Sequence, residues 1–254
     1  MTARTRIFPG YRDNRIHLIA HRGFTPAAPQ NSAKAFKEAG KRGYWAIETD
    51  VRRTADGHLV CIHDAEVSHL FQGNGMVEEM TLAQLQQLRW KGTEEIRMPG
   101  MGAAAGIPLF MEYLKICYEA KAVPFIETKT MDVEQVLKET AMYFGEKDFV
   151  ISSCTFEHLE EVRRYTSQVF IHHIFSDQGH LERLAQMGHA GVSYNYPNLD
   201  DVPEGLIGKT HEMGVCVCLR AGDSIESVRR MHQMGLDYIP TNKMEPKGIQ
   251  EVHL

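Results

Sequence analysis

The amino-acid sequence predicts a closed (β/α)₈ barrel, the TIM-barrel architecture, as a single domain over residues 1–254. Eight short apolar segments rich in Ile and Val alternate with helix-like segments along the chain. Polar cap residues precede most of the helix-like segments and glycines follow them, which is the usual punctuation of helices. A doubly wound open sheet is the alternative, but no glycine-rich dinucleotide fingerprint follows the first predicted strand.

The predicted strands are short and apolar, as expected for strands that are buried on both faces. In chain order they are Ile16–His21, Trp45–Val51, Val123–Lys129, Phe149–Ser153, Val169–Phe175, Gly191–Tyr196, Val215–Leu219 and Asp237–Thr241. The predicted helices lie between these strands, and five of them end next to a glycine. In chain order the helices are Ser32–Arg42, Asp132–Phe144, Glu157–Tyr165, Asp177–Met187, Val202–Met213 and Ser224–Met234.

The alternation of strands and helices breaks once, after the second predicted strand. Residues 54–57 read Thr-Ala-Asp-Gly, which is typical of a hairpin turn, and His58–His63 returns as a further strand. Residues 64–106 are then irregular, with several glycines and a short helix near Leu82–Leu88. We predict that residues 64–106 form an insertion over the C-terminal mouth of the barrel, where barrel enzymes carry substrate-selecting loops.

Composition and charge exclude several classes of function. The net charge is −5 and there is no long Lys/Arg run, so binding of nucleic acid through phosphate neutralisation is not expected. No stretch approaches the roughly 20 apolar residues of a membrane span, and residues 1–10 contain no apolar core of a secretory signal. The five cysteines lack zinc-ligand spacing, which favours a reduced, cytoplasmic protein. The sequence does not indicate an oligomeric state.

Three carboxylates are predicted to meet at the barrel mouth. Residues two apart on a strand point to the same side, so Glu48 converges with Asp50, and Glu127 with Lys129 on the next barrel strand. Three carboxylates close together repel one another, and one hard divalent cation with oxygen ligands, Mg²⁺ or Ca²⁺, would relieve that repulsion. The alternative is an interior ion-pair network, in which Lys129 holds Glu127 and Arg22 holds Asp50.

Two histidines and two cations complete this set. His21 ends the first predicted strand and His63 ends the return strand, and one imidazole with one imidazolium can serve as base and acid near neutral pH. Arg22 and Lys129 suit the oxygens of a phosphate, as a bidentate fork and a point charge respectively. Most of the thirteen histidines are expected to be packing or surface residues. His172 and His173, at the end of the fifth predicted strand, are expected either to belong to that group or to make a secondary polar contact. The set as a whole is typical of phosphodiester hydrolysis on a small-molecule substrate.

At these positions the chain resembles the glycerophosphodiester phosphodiesterases. The resembling segments are His-Arg-Gly at 21–23, Pro-Gln-Asn-Ser at 29–32, Glu-Thr-Asp-Val at 48–51, His-Asp at 63–64, Glu-Thr-Lys at 127–129, Ile-Ser-Ser at 151–153 and Gly-Leu-Asp-Tyr-Ile at 235–239. Each segment alone is weak evidence for the family, whereas the ordered set of segments is highly specific for it and extends over most of the chain.

The resemblance implies a (β/α)₈ barrel and a metal-dependent hydrolysis of a glycerophosphodiester to sn-glycerol 3-phosphate and an alcohol. It implies that a hydroxyl of the substrate can attack phosphorus to give a cyclic phosphate, which water then opens. The implied roles are metal ligation by Glu48, Asp50 and Glu127, acid/base catalysis by His21 and His63, and phosphate binding by Arg22 and Lys129. Further candidates for the shell around the substrate are Gln30, Asn31, His173 and Arg220.

The chain departs from the family pattern at four places. Gln30 stands where the family has a glutamate, and Asn242 stands where it has an aspartate. Residues 69–71 take the place of an Arg-Thr pair. In the family the seventh strand ends in a Trp-Thr pair, which is absent from residues 217–220 of this chain. These positions are expected to lie in the supporting shell or beside the alcohol half of the substrate. Arg220 either meets an acidic or phosphorylated leaving group or forms a salt bridge at the rim.

Two other functions fit parts of the sequence. A lysophospholipase-D-like activity on lipids would need an apolar mouth, for which Phe71, Met76, Met80 and Met98–Met111 are the available residues unless they simply pack the insertion. A catalytically silent barrel that binds a phosphodiester would explain the altered supporting residues, but it would be free to lose the histidines and carboxylates that are present.

Overall fold

The structure is a computed structural model that describes residues 16–91, 106–175 and 178–250. Eight parallel strands form one curved sheet with helices outside it, which confirms the predicted (β/α)₈ barrel. The strands are β1 (Leu18–Ala20), β2 (Ala46–Arg53), β3 (Leu59–Cys61), β4 (Phe71–Gln72), β5 (Arg89–Trp90), β6 (Val123–Thr128), β7 (Val150–Ser153), β8 (Phe170–His173), β9 (Ala190–Ser193), β10 (Cys216–Cys218) and β11 (Ile239–Thr241).

The barrel strands follow one another in the order β1, β2, β6, β7, β8, β9, β10, with β11 beside β1. Single hydrogen bonds close the remaining gap between β10 and β11. The Asp237 N–H donates to the Val217 carbonyl at 3.0 Å, and the Gly222 N–H donates to the Pro240 carbonyl at 2.8 Å. All eight strands run the same way, so their C-terminal ends meet at one mouth.

The helices are α1 (Ala33–Lys41), α2 (Leu82–Gln86), α3 (Phe110–Ala120), α4 (Val133–Ala141), α5 (Phe156–Tyr165), α6 (Gln178–Met187), α7 (Leu206–Glu212), α8 (Ile225–Gln233) and α9 (Pro246–Gln250). The six predicted helices correspond to α1 and α4–α8. The helix predicted from Val202 begins later, because Leu199–Asp201 forms a separate 3₁₀ turn. The predicted start at Asp177 lies outside the described residues.

Two helices, α3 and α9, were not predicted. Helix α3 lacks the usual punctuation: Leu109 at its N-cap offers no capping side chain, and Lys121 takes the left-handed conformation (φ 57°) where glycine is more usual. Tyr113 in α3 is nonetheless fully buried, and its hydroxyl donates to the Ile47 carbonyl at 2.6 Å. Tertiary packing therefore defines this helix more than its capping residues do.

Apolar side chains fill both the layer between strands and helices and the barrel interior. The interior cluster includes Phe125, Phe170 and Tyr238, and it also contains the thiols of Cys216 and Cys218. Both cysteines are free and buried, as expected from their shared face of one strand. Burial raises the pKa of both thiols, so they are packing groups without nucleophilic character.

The predicted hairpin is present, since β3 pairs antiparallel with β2 around Thr54–Gly57. The following residues 65–91 pack a small core together with Val60, Ile62 and Ile107, and the centroids of the Phe71 and Trp90 rings in it lie 4.1 Å apart. Phe71 is fully buried and Met80 packs against the same core, so these two residues pack the insertion, which is the simpler of the two roles that the sequence leaves open for them. Met76 is 38% exposed.

The boundaries of the domain and of the 64–106 insertion stay a prediction. Residues 1–15, 92–105, 176–177 and 251–254 lie outside the described part of the chain, and so does most of the Met98–Met111 stretch. Within the described ranges, no helix combines the length and apolar character that crossing a membrane requires.

Candidate active site

Three carboxylates converge where β2 and β6 reach the mouth of the barrel. Glu48 and Asp50 share one face of β2, and Asp50 lies directly opposite Glu127 in the parallel register with β6. One oxygen from each of the three groups lies within 4.8 Å of the others, and all three side chains are buried. The strand period of two therefore brings these carboxylates together, as the sequence predicts.

The carboxylates are more numerous than the cations that hold them. Burial and the neighbouring Asp50 and Glu127 raise the pKa of Glu48 well above its ordinary value, and its Oε1 is buried without a hydrogen-bond partner. Burial and Asp50 likewise raise the pKa of Glu127. Burial also acts to raise the pKa of Asp50, but Lys129 and Arg22 together hold it below its ordinary value.

The ion-pair network considered as the alternative is present, but it does not satisfy the cluster. Lys129 contacts Glu127 and lies 3.3 Å from Asp50 Oδ1, while Arg22 Nε lies 3.3 Å from Asp50 Oδ2. These contacts leave Glu48 Oε1 without a partner. Buried, oxygen-rich and short of positive charge, this donor set suits a hard divalent cation.

Two residues with left-handed backbone conformations hold the cluster in place. Arg22 (φ 57°) donates its backbone N–H to Glu48 Oε2 at 2.7 Å and its Nη1 to Gln30 Oε1 at 2.6 Å. Asn31 (φ 54°) donates Nδ2 to Asp50 Oδ2 at 2.9 Å and accepts from Thr49 Oγ1 at 2.8 Å. Gln30 and Asn31 do not line the cavity and support the charged residues from behind. The neutral Gln30 holds the Arg22 guanidinium without adding a negative charge to it.

The His21 ring is oriented by a chain of hydrogen bonds that ends in a carboxylate. Its Nδ1 lies 2.8 Å from Asn242 Oδ1, and Asn242 donates Nδ2 and its backbone N–H to the two Asp223 oxygens, both at 2.7 Å. Because Asp223 only accepts, the amide oxygen of Asn242 faces His21 and makes Nδ1 the donor. Nε2 of His21 is then the acceptor. Burial lowers the pKa of His21, which favours the neutral ring.

His63 has a charged partner instead of a neutral one. Its Nδ1 lies 2.7 Å from Asp64 Oδ1, and the other oxygen of Asp64 lies 3.1 Å from His69 Nδ1. The Asp64 carboxylate orients the His63 ring, as the amide oxygen of Asn242 orients the His21 ring. Sequence reasoning did not identify Asp223 or the His69 contact, because neither belongs to a recognisable motif.

These groups open onto one cavity of about 600 Å³, within the usual range for small-molecule sites. Its charged wall is lined by His21, Arg22, Glu48, His63, Glu127 and Lys129. Asp50 lies behind this wall and is fully buried. The structure thus brings together every residue predicted to act on the metal, the proton transfers or the phosphate.

The chain matches the Glycerophosphoryl diester phosphodiesterase family over residues 21–245, most of its length. It belongs to this family. It is 29% identical over 235 residues to a glycerophosphodiester phosphodiesterase of Caldanaerobacter subterraneus subsp. tengcongensis, covering 90% of this chain and 94% of that relative. A probable glycerophosphodiester phosphodiesterase 1 of Mycobacterium tuberculosis is 45% identical over 73 residues, which cover 29% of this chain and 27% of the relative.

Solved structures agree with the fold. One of them is a phosphodiesterase from Oleispira antarctica in complex with the product sn-glycerol-3-phosphate. It superposes on this chain with a TM-score of 0.80 and is 21% identical to it, and the superposition covers 93% of this chain and 96% of the Oleispira antarctica chain. A glycerophosphoryl diester phosphodiesterase structure from Silicibacter pomeroyi gives a TM-score of 0.77 at 23% identity, with coverage of 93% and 92%. The predicted family and enzyme class, a glycerophosphodiester phosphodiesterase, are confirmed.

One predicted residue of this family member, His173, is not brought to the cavity. Alternate side chains of β8 point to opposite sides, and the ring of His173 packs outside the barrel, centred 5.2 Å from Phe156 and 4.5 Å from His180. Its neighbour His172 faces inward, lines the cavity and lies with Nδ1 2.7 Å from the Tyr238 hydroxyl. Burial lowers the pKa of His172 to about 3, so this ring is neutral.

Proposed function

We propose that this protein hydrolyses a glycerophosphodiester to sn-glycerol 3-phosphate and an alcohol, and that the reaction depends on one divalent cation. One observation carries the proposal: three buried carboxylates within 4.8 Å of one another adjoin two histidines and two cationic side chains around a single cavity. The named product in the Oleispira antarctica relative supports the choice of sn-glycerol 3-phosphate.

The metal would be held by Glu48, Asp50 and Glu127, as Mg²⁺ or Ca²⁺. The unpartnered Oε1 of Glu48 and the raised pKa values of Glu48 and Glu127 support this assignment, because a bound cation would satisfy both features. When bound, such an ion polarises phosphoryl oxygens and stabilises the negative charge that develops on them.

Arg22 and Lys129 bind the phosphate oxygens in this proposal. Both line the cavity, and both now compensate the carboxylates. Neutralising the carboxylates releases these two side chains toward an anionic ligand. The guanidinium offers two parallel N–H donors and the ammonium a compact charge.

His21 serves as the general base and His63 as the general acid. The Nε2 of His21 takes the proton from the attacking hydroxyl, from the glycerol part of the substrate or from water, as the new O–P bond forms. Asn242 and Asp223 keep Nδ1 protonated so that Nε2 carries the lone pair. His63, whose ring is oriented by Asp64, gives a proton to the departing alkoxide as the old P–O bond breaks.

The reduced, cytoplasmic location inferred from cysteine usage is part of this proposal. All five cysteines are free thiols, and four of them are buried. A protein with this distribution needs no oxidising compartment for its stability.

The proposal is tested by release of glycerol 3-phosphate from a panel of glycerophosphodiesters with EDTA, Mg²⁺ or Ca²⁺. We expect turnover that EDTA abolishes and one of the two metals restores. Turnover that persists in EDTA would contradict the role of the carboxylates. Silence on every diester with both metals would contradict the activity itself, and ligand binding without turnover would then indicate a silent barrel.

A further inference from the structure

The wall of the cavity that faces away from the carboxylates has a different character. We call it the distal wall; it is lined by Ile174, Phe175, Ser193, Pro197, Leu219 and Arg220. These residues follow or end β8, β9 and β10. In the order of the eight barrel strands, β10 is four positions from β6 in either direction. Arg220 therefore extends from the side of the barrel opposite Glu127 and Lys129.

Arg220 is exposed and has no charged partner among the described residues. Among the described residues no acceptor lies within hydrogen-bond or ion-pair distance of its side chain, and no carboxylate lines the distal wall. Its chain neighbours are the apolar Leu219 and Ala221, which also line the cavity. The salt bridge at the rim, one of the two alternatives that the sequence leaves open for Arg220, is absent from this part of the structure.

A count of charges shows what Arg220 adds to the site. With one divalent cation bound, the metal, Arg22 and Lys129 carry four positive charges and the three carboxylates carry three negative charges. The site then has a net charge of +1. That excess matches the single negative charge of a phosphodiester. Asp64 and Asp223 do not line the cavity. Arg220 adds one further positive charge to the lining, which a substrate with a second negative charge would balance.

We propose that Arg220 selects glycerophosphodiesters whose leaving alcohol carries a phosphate or carboxylate group. The inference rests on the proposed function and narrows its substrate class. The glycerol half is neutral in every substrate of this class, so only the leaving alcohol can supply the second charge. A guanidinium binds either group through two parallel N–H···O contacts, whereas it repels a cationic alcohol such as choline.

The test compares kcat/KM for glycerol 3-phosphate release from diesters that differ in the charge of the leaving alcohol. The leaving alcohol is neutral in glycerophosphoglycerol and cationic in glycerophosphocholine. It carries a phosphodiester group in bis(glycerophospho)glycerol and a carboxylate in glycerophospholactate. We expect at least one anionic diester to exceed the neutral diester by roughly tenfold, after correction for the two equivalent ends of the bis-phosphate. The two anionic diesters separate phosphate from carboxylate recognition.

Substitution of Arg220 then assigns the preference to this side chain. In Arg220→Gln the ratio of anionic to neutral kcat/KM is expected to fall to about one, and in Arg220→Lys part of the ratio should return. Arg164→Gln is the matched control, because it removes the same charge from an exposed residue of α5 that does not line the cavity. The control is expected to keep the ratio of the unmodified protein.

The outcomes separate this inference from the proposed function. If neutral diesters are hydrolysed but neither anionic diester is preferred, or if Arg220→Gln keeps the preference, the inference alone is overturned. If no diester is hydrolysed with Mg²⁺ or Ca²⁺, the proposed function falls and the inference falls with it.

Discussion

The two walls of the cavity differ in how their charges are held. On the charged wall, Arg22 and Lys129 each contact at least one carboxylate, and Glu48 and Asp50 are fixed by hydrogen bonds from neighbouring residues. On the distal wall, Arg220 stands among apolar and small polar residues without such a partner. The first arrangement suits chemistry that is the same for every substrate, since each group is preorganised by another. The second suits selection among substrates, because substitution of Arg220 alone would leave the groups of the charged wall in place.

The largest effect is expected from removing either histidine of the charged wall. His21→Ala and His63→Ala should each lower kcat/KM by about 10²–10⁴-fold, the range for loss of a general acid or base. The loss should be equal for neutral and anionic leaving alcohols, because neither ring belongs to the distal wall. Titration calorimetry should give an unchanged metal affinity, and His58→Ala on the exposed hairpin turn serves as the control.

An activated substrate distinguishes the acid from the base. Glycerophospho-p-nitrophenol has a leaving group that departs without protonation, so it should restore most of the activity of His63→Ala but little of that of His21→Ala. Rates close to those of the unmodified protein in both variants would remove the acid/base assignment. The reverse pattern of rescue would exchange the two roles.

The charged wall could be predicted from the sequence because its residues occupy fixed positions on regular strands. The period of two placed Glu48 beside Asp50, and the parallel sheet placed Glu127 next to them. The same rule places His172 and His173 of β8 on opposite sides of the sheet. It does not say which of the two faces the barrel interior, and the sequence pattern does not supply that information. That is why His173 was selected although His172 lines the cavity.

Contacts that depend on loops and tertiary packing could not be predicted. Asp223 lies in the loop after β10, and only the closed barrel brings it to Asn242. Helix α3 has no capping signal, and the uncapped N-terminus at Leu109 is compensated by burial of residues such as Tyr113. For Arg220 the sequence leaves two roles open, and among the described residues the structure shows no partner for a salt bridge at the rim.

The second-largest effect is expected from removing one of the three carboxylates, which belong to the charged wall and not to the distal wall. Glu48→Gln should weaken Mg²⁺ or Ca²⁺ binding by about 100-fold in titration calorimetry, since it removes a charged ligand. The same variant should stabilise the metal-free protein. Folding raises the pKa of Glu48, so the cost of ionising it is absent below the ordinary glutamate pKa and grows as the pH rises toward the raised value.

A thermal melt in EDTA at neutral pH measures this stabilisation. Each unit of pKa shift corresponds to about 1.4 kcal/mol, and a change of that size moves the Tm of a domain of this length by about 2–4 °C. We expect Glu48→Gln to melt higher than the unmodified protein in EDTA, whereas Glu204→Gln at an exposed position should not. A lower Tm for Glu48→Gln would mean that the carboxylates are already balanced without a metal.

The smallest effect is expected where Asn242, at the base of the charged wall, supports His21 with a neutral group. The double variant Asn242→Asp, Asp223→Asn exchanges the amide and the carboxylate, so that the net charge and the hydrogen-bonded pairs stay the same while the bond between the two side chains reverses its direction. A carboxylate in contact with the ring favours the positive imidazole, so the pKa of His21 should rise by about one unit or more. Because the base must be neutral, the acidic limb of kcat/KM against pH should move to higher pH by the same amount. An unchanged limb in the double variant would mean that His21 is not the group that titrates.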